Sequence, residues 1–96
     1  MFIYYNILAI YYNAFQARKS LPIIFNRHAV QEKSPSEYDV ELVLAAVRKG
    51  KIINKKSGKY LAVLYDKNSG NSYSAVFVPR RRNLLVITWF KRKGRR

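Results

Sequence analysis

Four apolar runs separated by hairpin-length gaps follow Gly50, and they constrain the fold more than any other feature of the chain. "KIIN" is short, and "KKSGK" turns the chain. "KYLAVLYD" is apolar on both faces, as a central strand is, and "DKNSGN" is a hairpin loop in which Gly70 can supply positive φ. "SYSAVFV" alternates, with Tyr73, Ala75 and Phe77 on one face and Ser72 and Ser74 on the other. "PRRRN" turns again, and "LLVITWF" is the last strand before "KRKGRR". Strands this close in sequence, joined by loops this short, pair as an antiparallel meander.

Helical signals precede the strands. In "SPSEYD", Ser34, Pro35 and Glu37 have the spacing of a capping box with proline at the first helical position. Four of the five acids, Glu32, Glu37, Asp39 and Glu41, gather where a helix N-terminus favours negative charge. Val40, Val43, Leu44 and Val47 recur at helical spacing, Arg48 and Lys49 occupy the last turn, and Gly50 ends the helix. Further upstream, "LPIIF" opens on proline as an edge strand does, and Asn26 suits the N-cap of a short helix containing Arg27, His28 and Ala29. The expected fold class is α+β: one or two N-terminal helices packed on a three- to five-stranded antiparallel β-meander, without internal repeats.

The stretch "MFIYYNILAIYYNAF" carries no charge before Arg18 and Lys19. It is shorter than a bilayer core requires and is interrupted by Asn6 and Asn13. No basic residue precedes it and no small-residue cleavage motif closes it, which argues against a secretory signal. Such a segment needs cover from the domain, from a second copy or from lipid. The chain is thus expected to comprise an aromatic, apolar extension over 1–20, a compact domain over 21–91 and a basic tail over 92–96.

Charge identifies the class of partner. Lys and Arg number 19 against 5 Asp and Glu, a formal net charge of +14. A chain this basic repels itself and gains most from a polyanion, either nucleic acid or an anionic membrane. Eight of the cations follow position 79, namely Arg80, Arg81, Arg82, Lys91, Arg92, Lys93, Arg95 and Arg96. Arg48, Lys49, Lys51, Lys55, Lys56 and Lys59 lie between the helix end and the second strand after it. In a meander the triple arginine and the tail fall at opposite ends and form two patches. Strand aromatics such as Tyr60, Tyr65, Tyr73, Phe77, Trp89 and Phe90 could stack unpaired bases on an open sheet face, or could be core. Without cysteine, disulfides, thiolate metal sites and thiol catalysis are excluded, and with a single histidine no bound metal or other cofactor is expected.

The succession of "PIIFNRHA", "SEYDVELVLAAVRKGKII" and strands ending in "LLVITWF" resembles a small family of uncharacterised bacterial and phage domains. That family is grouped with the barnase, EndoU, colicin and RelE superfamily of metal-independent RNases and toxins. The points of contact are His28-Ala29, Asp39-Val40, Gly50 and Ile87-Thr88, within residues 21–91. Where the family carries arginines after His-Ala, this chain has "VQEKS" with only Lys33. The resemblance implies a RelE- or barnase-like fold and RNA cleavage without metal. Such cleavage needs a base for the 2′-hydroxyl proton, an acid for the leaving 5′-oxygen and cations at the phosphoryl oxygens. His28 would be the base, Thr88 a donor to the phosphate, and Arg81, with Arg80, Arg82, Lys55 and Lys56, the cations. Lys91, Arg92, Lys93, Arg95 and Arg96 would extend the nucleic-acid contact.

Three readings remain open at this level. The first is a ribonuclease or toxin-like domain acting on RNA before DNA, with an acidic antitoxin as an associated partner. The second is a non-catalytic nucleic-acid-binding protein on the same scaffold. The third is a membrane-peripheral or assembly protein using residues 1–20, which could also form a homodimer. The absence of cysteine and of a signal leads to the expectation of a cytoplasmic protein.

Overall fold

The computed structural model describes residues 18–31 and 34–95, the side chains of Asn54 and Lys55 excepted. Residues 1–17 of the expected extension, Glu32, Lys33 and Arg96 lie outside the described residues. The elements are β1 (Ile23–Phe25), α1 (Arg27–Gln31), α2 (Glu37–Lys49), β2 (Lys51–Lys56), β3 (Lys59–Asp66), β4 (Asn71–Pro79) and β5 (Leu84–Lys93). They form a five-stranded sheet in the order β1-β5-β4-β3-β2. Strands β2 to β5 are the antiparallel meander that the short loops require. The proline-led β1 lies at an edge, as its sequence implies, and pairs parallel to β5. The sheet is therefore mixed, and the fold is α+β.

Turn chemistry follows the sequence closely. Ser57 and Gly58, both at positive φ, form the two-residue hairpin between β2 and β3, and Gly70 takes φ 76° in the loop before β4. The last strand runs through Lys93, with Arg92 opposite Ser72 and Lys93 opposite Asn71. Ser72 Oγ donates to Gly94 O at 2.7 Å. Lys91, Arg92 and Lys93 are thus strand, three positions beyond the end of "LLVITWF".

Helix α2 is capped two residues later than the Ser34 spacing suggests. Ser36 Oγ accepts from Asp39 N and Asp39 Oδ2 accepts from Ser36 N, both at 3.1 Å. Ser34 instead sits at φ 42° and donates its N–H to Val30 O, closing α1. The acidic residue that completes the box is Asp39, in place of Glu37. The buried face of α2 carries Asp39, Val43, Ala46 and Val47, so the apolar stripe is rotated away from Val40 and Leu44.

Both helices cover one face of the sheet. Ala29 of α1 and Val43 and Val47 of α2 join Ala62, Tyr73, Ala75, Phe77, Leu84, Val86 and Trp89 in a single core. Tyr60 and Phe77 stack at 5.5 Å within that layer. No described helix is long and apolar enough to cross a membrane.

Gly50 ends α2 for a reason of space. Its φ is −68°, open to any residue. A Cβ there would lie 2.5 Å from Ala46 O and 2.9 Å from Val63 O, both backbone atoms that cannot rotate away. Gly50→Ala is expected to destabilise the fold by about 1–3 kcal/mol, the usual range for overpacking. Urea unfolding measures it, and a neutral result would mean that the helix end is loosely seated.

Two arginines fasten the chain before β1 to the same helix end. Arg18 donates from Nε to Val47 O at 2.9 Å and from Nη2 to Gly50 O. Arg48 Nη1 returns bonds to Arg18 O at 3.2 Å and Leu21 O at 2.6 Å. The Arg18 guanidinium thus satisfies carbonyls at the end of α2, and Arg48 holds carbonyls of the chain before β1.

Candidate nucleic-acid interface

His28 sits in the first turn of α1, immediately after β1. Asn26 sets that turn: its Oδ1 accepts from His28 N at 3.0 Å and its carbonyl from Ala29 N at 2.9 Å. The helix is fastened to β5 at two points. Asn26 N donates to Val86 O at 2.8 Å, and Trp89 Nε1 donates to Ala29 O at 2.9 Å. His28 is therefore carried on a short rigid step, with its side chain at the exposed surface.

Thr88 lies between those two fastening points in sequence but leaves the strand on the other face. The β4–β5 register slips between Val76 and Phe77: Val76 opposes Thr88, and Phe77 opposes Val86. Ile87 is the extra residue of a bulge, so Trp89 takes the helix-facing position and Thr88 faces away. The sheet thus separates the Thr88 side chain from the helix bearing His28.

Arg81 occupies the β4–β5 turn with Arg80 and Arg82, all three exposed. The turn is closed by Arg80 N donating to Asn83 O at 2.7 Å and fixed to the edge by Leu84 N donating to Pro22 O at 2.8 Å. From Leu84 to Val86, where Asn26 is anchored, is two residues of strand, or about 7 Å. The arginine turn and the start of the His28 helix are neighbours along β5.

The sheet segregates its charge along the strand direction. Tyr60 opposes Phe77 and Pro79 opposes Leu84, so the β2–β3 turn with Lys56 and Lys59 lies at the same end as Arg80, Arg81 and Arg82. A shallow concavity of about 390 Å³ opens there, lined by Lys56, Ser57, Lys59, Tyr60, Leu61 and Val76. Lys59 belongs to this cationic end as much as Lys56 does, because a two-residue turn sets them opposite each other. The Lys55 backbone pairs with Tyr60 beside them, and its side chain lies outside the described residues. The described acids lie elsewhere. Glu37, Asp39 and Glu41 are in the first half of α2, which is tied to the opposite end by Tyr38 donating to Asp66 and Tyr73 donating to Asp39.

The second cationic patch is partly engaged in holding the fold. Lys91 Nζ lies 3.2 Å from Asp39 Oδ1, and the Arg95 guanidinium lies 4.4 Å above the Tyr65 ring centroid. Arg92 and Lys93 are exposed at this end, and Arg96 lies outside the described residues. Of the strand aromatics, Tyr60, Tyr73, Phe77 and Trp89 belong to the helix-covered layer, which leaves Tyr65 and Phe90 on the other face. Among the described residues no group of acids or imidazole gathers as a metal site.

Asp39 is the centre of a polar network that sequence alone did not reveal. Burial disfavours its charge, but bonds from Ser36 N, Lys91 and Tyr73 outweigh this and hold the carboxyl below its ordinary range. Tyr73 is pushed the opposite way, by burial and then by the neighbouring carboxylate. Asp66 is lowered chiefly by the Tyr38 hydroxyl. Carboxylates depressed in the folded state add stability above their unfolded pKa of about 4 and lose it as pH falls through the folded value. Stability is therefore expected to decline below pH ~4. Asp39→Asn is expected to shrink that acid limb and to cost about 2 kcal/mol at neutral pH, since Lys91 is half exposed and part of its pairing is screened. Urea midpoints across the acid range check both; an unchanged acid limb in the variant would contradict the assignment.

No family model matches the chain, and no curated protein matches it. Among solved structures the fold is similar to that of the ribonuclease toxin BrnT of Brucella abortus, with a TM-score of 0.52 and 17% identity. The match covers 78% of this chain and 100% of that one. At that identity the likeness is one of fold alone.

Proposed function

We propose that this protein is a toxin-like, RNA-cleaving domain that grips phosphates at the end of the sheet formed by the β2–β3 and β4–β5 turns. The observation that carries the reading is a ribonuclease-toxin fold combined with a turn end whose described charged residues, Lys56, Lys59, Arg80, Arg81 and Arg82, are all cations. In this reading the imidazole of His28 takes the 2′-hydroxyl proton. The 2′-oxygen attacks phosphorus, the bond to the 5′-oxygen breaks, and an acid protonates the leaving oxygen. The arginine turn stabilises the charge that builds on the phosphoryl oxygens. An acidic antitoxin fits the same cations, since a polyanionic protein surface and a phosphate backbone make similar demands on them.

Cleavage of RNA in excess EDTA, with His28→Ala abolishing cleavage and keeping RNA binding, is the expected result. A second reading, a non-catalytic RNA-binding module, is favoured by the position of Thr88 on the face away from the His28 helix. Salt-sensitive binding by the wild-type protein with no cleavage would select it.

A further inference from the structure

The sheet face away from the helices is not uniform along its strands. Towards the β3–β4 loop, Val63, Ser72 and Ser74 on that face are buried. Leu61 and Val76 oppose each other nearer the β2–β3 turn, are only half-buried, and line the concavity of about 390 Å³. Lys56 and Lys59, exposed and opposite each other, line it from the turn together with Ser57. Tyr60 alternates to the core side of β3, where its ring stacks on Phe77 at 5.5 Å. No acid is among the described residues that line this space. The concavity therefore joins an aliphatic floor to a pair of cations.

We infer that it seats one unpaired nucleotide of an RNA strand, with the base on Leu61 and Val76 and the phosphates at Lys56 and Lys59. The inference rests on the proposed reading of this end of the sheet as a grip on RNA, and it names the class of RNA. Volume sets the size of the occupant. Sites for small ligands begin at about 300 Å³, so the space suits a single nucleotide and not a stacked run. A bare phosphate would use the lysines and leave the floor empty, whereas a nucleotide carries an apolar ring face joined to an anion. Base pairing decides access. Within a duplex each base is covered on both faces by its neighbours, so only an unpaired base can lay a face on the floor. Aliphatic side chains offer no hydrogen bonds, so the floor selects single strands without selecting sequence.

The test uses the full chain and 2′-O-methyl RNA, which lacks the nucleophilic hydroxyl and stays intact during binding. A single strand is expected to bind about tenfold more tightly than an abasic strand of equal length, towards the lower end for a base contact. It is also expected to bind more tightly than the duplex, although the duplex has the denser charge. Amide shifts at Leu61 and Val76 should appear with the base-bearing strand and be absent with the abasic one. Leu61→Ser combined with Val76→Ser is expected to erase the difference between these strands and to leave the salt dependence unchanged. Lys56→Gln combined with Lys59→Gln is expected to flatten the salt dependence for both. Equal affinity of the two strands for the wild-type protein, or shifts confined to the arginine turn, would overturn the inference and leave the phosphate grip standing. No binding of any strand would overturn both.

Discussion

Replacing Arg80, Arg81 and Arg82 together with alanine is expected to weaken RNA binding by roughly ten- to a hundredfold at low salt. The slope of log K against log salt should flatten by about 2, since each single-strand phosphate contact contributes about 0.7. The three side chains are exposed on a turn whose backbone is held by Arg80 N–Asn83 O and Leu84 N–Pro22 O, bonds that the substitutions leave intact. The fold should therefore persist while the phosphate-binding end loses its largest block of charge. The same count of substitutions at Lys91, Arg92 and Arg95 should act differently. Lys91 is bonded to Asp39 and Arg95 rests on Tyr65, so that variant is expected to lose stability more than affinity. Equal losses of binding from the two ends would mean that charge alone, and not its placement, governs the interaction.

Trp89→Ala is expected to cost about 3–5 kcal/mol, the range for removing a large buried aromatic. For a domain of this size that is a large part of a total stability of about 5–15 kcal/mol, and it should lower the melting temperature by about 15 °C or more. Trp89 is 3% exposed, belongs to the central core, and gives α1 its second fastening to the sheet through Ala29 O. Trp89→Phe separates the two contributions. It keeps most of the packing, loses the indole bond, and is expected to cost about 1 kcal/mol from that bond. If the phenylalanine variant is as unstable as the alanine variant, the indole bond contributes more than the packing does.

The meander, the α2 helix and the division of cations between two ends of the sheet were legible because each rests on short-range signals. Hairpin-length gaps force antiparallel neighbours, and Gly50 marks a boundary whether it serves for conformation or, as here, for space. The cap of α2 was misplaced by two residues because Ser34 and Ser36 are both followed three positions later by an acid. Only the backbone decides between them, and it puts Ser34 at φ 42°. The candidate site was less legible for a related reason. Strict alternation from Leu84 places Leu84, Val86 and Thr88 on one face, the face that carries α1. One extra residue at Ile87 reverses the assignment, and nothing in "LLVITWF" announces that bulge. The engagement of Lys91 with Asp39 is also nonlocal, joining residues 52 positions apart.

The proposed role of His28 as the base is tested most directly by end-group analysis of RNA incubated with the wild-type protein and with His28→Ala in EDTA. The wild-type protein should leave 2′,3′-cyclic phosphate and 5′-hydroxyl ends, the products of attack by the 2′-oxygen. His28→Ala should form the same ends about 10²–10⁴ times more slowly, the usual contribution of a general base. Intact RNA with the wild-type protein, or the same products at an unchanged rate from the variant, would contradict it.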